Sequence, residues 1–117
     1  MVSRPLFDTS RPDFPRRGQV FYASLDKDRP VIILSADSLN RFSLDVCVVP
    51  LTTIKHEEFS VRVPLKKGDG GLKSDCWAKC DQVTTLEKRF LLFPAKGKLG
   101  SSFAEIEKQV RIALGLP

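Results

Sequence analysis

The chain has 117 residues, 42% hydrophobic and 28% charged, which is the balance of one ordinary globular domain and excludes disorder along its whole length. No stretch approaches the roughly 20 apolar residues of a membrane span, and three cysteines are too few, and odd in number, for a disulfide scaffold. Nineteen Lys and Arg against 14 Asp and Glu leave a net charge of +5, which favours a polyanionic partner such as nucleic acid or an acidic peptide.

Residues 1–15 read as a Pro/Arg-rich leader, because Pro5, Pro12 and Pro15 deny it a regular element, while Phe7 and Phe14 offer anchors to the body. The region from Met1 to Arg17 lacks the apolar core of a secretory signal, so a reducing, cytoplasmic setting is expected. Residues 16–117 read as the folded domain. Gln19–Ser24 has the β-branched and aromatic content of a strand, and Leu25–Asp28 is a short polar turn. Pro30–Ser35 is a nearly continuous apolar run, too short for a helix and typical of a strand buried on both faces. Ala36–Ser43 reads as a polar connection.

Asp45–Pro50 is a second buried strand, and Phe59–Val63 alternates like a half-exposed one. Lys66–Gly71 is a turn. Asp75–Val83 reads as a strand with Cys76, Ala78 and Cys80 on one face and Trp77, Lys79 and Asp81 on the other. Leu86–Phe90 reads as a helical turn. Ser102 and Glu105 have capping-box spacing, and Phe103, Ile106, Val110, Ala113 and Leu114 form an amphipathic helix closed by Gly115. About five strands and one terminal helix predict a mainly β fold, a small antiparallel β-barrel or half-barrel with a C-terminal helix packed on it.

Familiar catalytic and metal signatures are absent. Cys76 and Cys80 lack the two-residue spacing of a zinc or redox pair, and core packing is the simpler reading. His56 is the sole histidine and sits among Lys55, Glu57 and Glu58 in a polar loop, so neither a metal cluster nor a triad is expected. Gly68–Gly71 lacks the context of a phosphate loop. What remains is a sparse polar set at strand ends: Arg29 before Pro30, Thr52 and Thr53 after Leu51, and Gln82 beside Asp81. Arg offers a fixed charge and a fork for phosphate oxygens, while a hydroxyl and an amide supply further hydrogen bonds. Asp28 is the acidic residue adjacent to Arg29.

Several segments together resemble the MazF/PemK toxin family of the CcdB/PemK superfamily. They are Arg17-Gly18-Gln19-Val20-Phe21, Arg29-Pro30-Val31-Ile32-Ile33-Leu34-Ser35, Asn40-Arg41-Phe42, Val48-Val49-Pro50-Leu51-Thr52-Thr53, Asp81-Gln82-Val83-Thr84-Thr85-Leu86 and the ending through Leu116. The resemblance implies an SH3-like, CcdB/PemK-like barrel. It implies the toxin of a type II toxin–antitoxin system, a homodimeric endoribonuclease that cuts single-stranded RNA at specific sequences and stops translation and growth. It also implies cleavage without a metal or other cofactor, giving 2′,3′-cyclic phosphate and 5′-hydroxyl ends. Such chemistry needs no protein nucleophile, since RNA brings its 2′-hydroxyl.

The resemblance carries the catalytic role to Arg29 and Thr52, and substrate contacts to Gln82, with Thr53 and Arg17 as further candidates. It also implies a cognate antitoxin whose acidic, partly disordered tail covers the basic groove. Only Leu25–Asp28 separate Ser24 from Arg29, where the family usually has a longer loop. A competing reading is a non-catalytic nucleic-acid or protein-binding module on the same fold. A CcdB-type gyrase poison would need a C-terminal Trp-Gly-Ile, whereas this chain ends Leu114-Gly115-Leu116-Pro117.

Overall fold

The computed structural model describes residues 13–54 and 61–117. His56, Glu57 and Glu58, the first part of the Phe59–Val63 strand and nearly all of the leader lie outside the described residues. At the end of the leader, Pro15 is buried and Phe14 lies under the Arg16 guanidinium, 3.9 Å from the ring centre.

The apolar runs become a seven-stranded antiparallel sheet. Strand β1 (Gln19–Ser24) pairs with β2 (Asp28–Ile33) as a hairpin, with Val20 opposite Ile32 and Ala23 opposite Arg29. Strand β3 (Asp45–Thr52) is central. It pairs with β2 along one edge, Val31 opposite Pro50 and Ile33 opposite Val48. Its other edge is shared by β5 (Cys76–Lys79) and β6 (Thr84–Glu87). Strand β4 (Arg62–Leu65) flanks β5, and β7 (Leu91–Lys98) flanks β1. Short helix α1 (Asp37–Phe42) precedes β3, and α2 (Ser102–Leu114) ends the fold.

Val31, Ile32 and Ile33 are all buried, as the continuous run predicts, because the sheet has core on both faces. Ile32 joins Val20, Val49, Leu51, Val63, Ala78 and Cys80 beneath Ile106 and Val110 of α2. Val31 and Ile33 join Phe21, Val46, Val48 and Leu91 on the other side, where Phe21 meets Phe93 edge to face with ring centres 5.0 Å apart. Burial of this kind contributes roughly 25 cal/mol per Å² of apolar surface and is the main force holding the sheet.

The barrel expected from the sequence does not close by hydrogen bonds. Strands β4 and β7 end the sheet path and share no ladder. The gap is spanned by a 3₁₀ turn at Asp69–Gly71 whose backbone packs against β7. A Cβ on Gly71 would lie 2.2 Å from the carbonyl oxygen of Lys96, and one on Gly97 would lie 2.7 Å from the carbonyl carbon of Gly70. Gly70 and Gly71 also have φ of 62° and 79°, so their backbone turns instead of extending the ladder.

Four local expectations are corrected. Ala36–Ser43 contains α1, and its Asn40 is fully buried, donating to the Ser35 carbonyl at 2.8 Å. Asp75–Val83 shortens to Cys76–Lys79 because the chain turns at Cys80 and Asp81, with the Gln82 amide donating to the Lys79 carbonyl at 3.0 Å. Leu86 and Glu87 belong to β6, and only Lys88–Phe90 is a 3₁₀ turn. The capping box does not form, since the Ser102 hydroxyl donates to Asp69 Oδ2 at 2.6 Å and ties α2 to the glycine turn. The helix end is as expected, with Gly115 left-handed at φ 71°.

Candidate functional site

Pro30 lacks an amide hydrogen and stands near the start of β2, which leaves Arg29 at the strand's solvent end. The register of β2 on β3, continued two residues beyond the Val31–Pro50 pair, sets Arg29 opposite Thr52. Thr52 in turn stands opposite Trp77 on β5, and Trp77 opposite Pro64 on β4. Residues directly opposite share a face, so Arg29, Thr52, Trp77 and Pro64 form one row across four strands. Two residues along β5 from Trp77, Lys79 stands opposite Arg62 on the same face. The alternate residues Leu51, Val63 and Ala78 point into the core beneath α2 and fix this orientation.

Arg29 is exposed and donates from Nε and Nη2 to the two carboxylate oxygens of Asp26, each at 2.9 Å. Its acidic partner is therefore Asp26 of the β1–β2 turn rather than the adjacent Asp28. The Arg29 guanidinium holds the Asp26 carboxyl well below the usual carboxylate range. Asp26 in turn raises the pKa of Arg29, so the arginine carries a fixed charge. Thr52 is half-buried at the end of β3, and its Oγ1 accepts a hydrogen bond from the Ile54 amide at 3.1 Å. Thr53, the next residue, is exposed.

Gln82 is exposed in the β5–β6 turn. The β6 register, Val48 opposite Thr84, continued two residues beyond its last pair would bring Gln82 toward Pro50 and the Thr52 end of β3. Arg17 is elsewhere. Its Nε donates to the Leu34 carbonyl at 2.8 Å beyond the far end of β2, its guanidinium pairs with Glu107, and it lies 4.8 Å from the Phe103 ring centre. The structure thus gathers Arg29, Thr52, Thr53 and Gln82 at one end of the central strands, and uses Arg17 to join that sheet's other end to α2.

Sequence reading missed three residues here. Arg62, Trp77 and Lys79 looked like ordinary outward positions, and only cross-strand register aligns them with Thr52. Burial pushes the pKa of Lys79 down, and the positive charges of Arg62 and Arg29 push it further. Fixed cationic charge beside a hydroxyl and an amide suits a phosphodiester: the fork binds non-bridging oxygens, and its charge grows in value as the phosphorus gains negative charge. Among the described residues, no group of three or more His, Cys, Asp or Glu side chains could hold a metal ion. No helix among them is long and apolar enough to cross a membrane.

Residues 16–114 match the family described as PemK-like, MazF-like toxin of type II toxin-antitoxin system. The chain is 25% identical over 114 residues to endoribonuclease MazF9 of Mycobacterium tuberculosis, covering 86% of this chain and 97% of that protein. It is 29% identical over 110 residues to endoribonuclease MazF of Staphylococcus epidermidis, covering 86% of this chain and 92% of that one. The fold is similar to that of a mycobacterial endoribonuclease solved in complex with its cognate antitoxin, with a TM-score of 0.74, 30% identity, and coverage of 88% of this chain and 95% of that chain.

Proposed function

The chain belongs to the PemK-like, MazF-like toxins of type II toxin–antitoxin systems and is a MazF-like endoribonuclease, and we propose that it cuts single-stranded RNA at a specific sequence by the RNA's own 2′-hydroxyl. In this reading the 2′-oxygen attacks the adjacent phosphorus, forming the P–O2′ bond as the P–O5′ bond breaks. The 2′-proton passes to a solvent water and the departing 5′-oxygen takes a proton from solvent, so the products are a 2′,3′-cyclic phosphate and a 5′-hydroxyl. Neither metal nor other cofactor takes part.

Arg29 and Thr52 are the catalytic residues of this proposal. The guanidinium stabilises the charge that builds on the non-bridging oxygens, and the Thr52 hydroxyl donates to one of them. Arg29 must exchange at least part of its Asp26 contact for phosphate. Gln82 and Thr53 contact the RNA near the scissile linkage. Arg17, engaged with Glu107 and Phe103, contributes by holding α2 on the sheet and contacts RNA only where the strand extends that far.

What carries the reading is the β2–β3 register: continued two residues past Val31 opposite Pro50, it brings Arg29 and Thr52, a fixed charge and a hydroxyl, to one face at one end of the pair. The substrate is messenger RNA, and its cleavage stops translation and growth. The working unit is a homodimer in the cytoplasm. A cognate antitoxin blocks it through an acidic, partly disordered tail that folds onto the basic face, in keeping with the net charge of +5. Residues 1–15 form a leader to a toxin domain at 16–117. The binding-module alternative is set aside by the endoribonuclease relatives.

An end-mapped cleavage assay on a long single-stranded RNA in EDTA tests the proposal. Cuts at one short recurring sequence, with cyclic-phosphate ends and lost in Arg29→Ala and Thr52→Ala, are expected. Full cutting by both folded variants would overturn the assigned site, and a requirement for metal would overturn the mechanism.

A further inference from the structure

Arg62 and Lys79 stand directly opposite each other on β4 and β5, an arrangement of like charges that costs stability in a sheet. Nε and Nη1 of Arg62 are enclosed and have no hydrogen-bond partner among the described residues. The depressed pKa of Lys79, caused by burial and then by Arg62 and Arg29, records the same crowding of positive charge. Asp81 is the acidic group that acts on Lys79 from the following turn, and it is exposed. Two residues from Lys79, the half-buried Trp77 stands between Thr52 and Pro64. On the side of Trp77 away from Lys79, a pocket of about 130 Å³ is lined by Pro64, Lys66, Asp75 and Trp77 among others, and it is not part of this cluster.

An arginine with two unpartnered nitrogens opposite a lysine is a poor arrangement for an empty sheet, and turning its fork outward would offer an anion two cations. A planar indole one step away adds a surface that favours a nucleobase over a carboxylate-rich peptide. We propose that Arg62, Lys79 and Trp77 form a second RNA subsite beside Thr52, the two cations holding a backbone phosphate and the indole stacking on an adjoining base. The proposal rests on the RNA-cleaving reading of the Arg29–Thr52 site. It extends the bound strand from β2 and β3 onto β5 and β4, and gives the nucleotides on that side of the scissile bond a part in binding. The subsite acts on affinity, since none of its three residues touches the reacting phosphate.

The test is fluorescence anisotropy of the full chain with a labelled 2′-fluoro single-stranded RNA, which lacks the nucleophile, over a series of salt concentrations. Lys79→Gln is expected to weaken binding roughly tenfold and to reduce the slope of log affinity against log salt by about 0.7, the share of one phosphate contact. Trp77→Leu is expected to weaken binding roughly fivefold with the slope unchanged. Lys108→Gln, on exposed α2, should leave both quantities as they are. If both subsite variants bind like wild type while Arg29→Ala binds worse, the subsite is overturned and the cleavage reading stands. If wild type neither binds this RNA nor cuts an unmodified one, both fall. If a glutamate-rich peptide loses affinity in Lys79→Gln while RNA does not, the surface serves an acidic protein segment and the proposal is overturned.

Discussion

Arg29 and Asp26 close the β1–β2 turn through two parallel hydrogen bonds of 2.9 Å, a bidentate pair between neighbours three residues apart. Asp28, although adjacent in sequence, lies in the same strand as Arg29, and successive strand side chains point to opposite faces. Asp26 lies in the turn, free of that alternation. The guanidinium is thus oriented at the end of β2, and its fork is occupied by the carboxylate that the proposed mechanism would replace with a phosphate.

Releasing that fork should tighten substrate binding. Asp26→Asn removes one negative charge beside a polyanion and frees the guanidinium, so KM for RNA should fall roughly threefold. The Asp26 carboxyl is held well below its ordinary range, so its contact persists above that depressed pKa and is lost only as pH falls through it. The ratio of variant to wild-type KM should therefore hold steady from about pH 8 to about pH 5. An unchanged KM in steady-state cleavage would mean that phosphate displaces Asp26 without cost.

Charge alone should not replace the geometry of the site. Arg29→Lys keeps the charge and loses the fork, and kcat/KM should drop roughly 100-fold or more. Thr52→Ser keeps the hydroxyl and its bond to the Ile54 amide, so activity should stay within about tenfold, whereas Thr52→Ala should lose roughly 100-fold. Arg29 is exposed, so thermal unfolding of Arg29→Lys should match wild type.

The packing of the glycine turn against β7 should be the most sensitive backbone feature. Gly71→Ala would set a Cβ 2.2 Å from the Lys96 carbonyl oxygen at a φ of 79°, so it should cost more than about 3 kcal/mol. Gly100→Ala meets nothing within 4 Å and has no left-handed φ, so its change should stay within about 1 kcal/mol. Denaturant unfolding of the two variants measures the contrast.

The cysteines should behave as core residues with one exception. Burial pushes the Cys80 thiol up to about 11, and burial also raises Cys76. Cys47 is only half-buried, so alkylation of the native protein should label it first, as peptide mapping would show. A thiol whose pKa is raised on folding holds its proton longer in the native state. Stability should therefore fall as pH climbs from about 9 toward about 11, with a Tm lower by several degrees. Cys80→Ala should flatten that decline in calorimetry.

Much of this protein was legible along the chain. The unbroken run from Val31 to Ile33 announced a strand with core on both faces, and all three side chains are buried. The alternation of Cys76 and Ala78 with Trp77 and Lys79 matches the inner and outer faces of β5. The three- and four-residue steps from Phe103, with Gly115 closing the helix, describe α2, whose buried face is Ile106 and Val110, while Leu114 is exposed. These signals are local, because burial on one face repeats with the period of the element itself. The polar residues left at strand ends, Arg29 and Thr52 among them, stood out for the same reason.

Other features depend on what lies opposite. Strand β7 went unread in the sequence; it contains Pro94 and Gly97 and is held by its pairing with β1. The Ser102 hydroxyl had a helix cap within reach and bonds instead to Asp69, distant in sequence. The row from Arg29 through Thr52 to Trp77, and the facing of Arg62 with Lys79, arise from strand register. The chain's own periodicities determined which residues are inside and which are out. Only the tertiary structure decided which outward residues meet, because cross-strand pairing joins segments whose local sequences carry no record of one another.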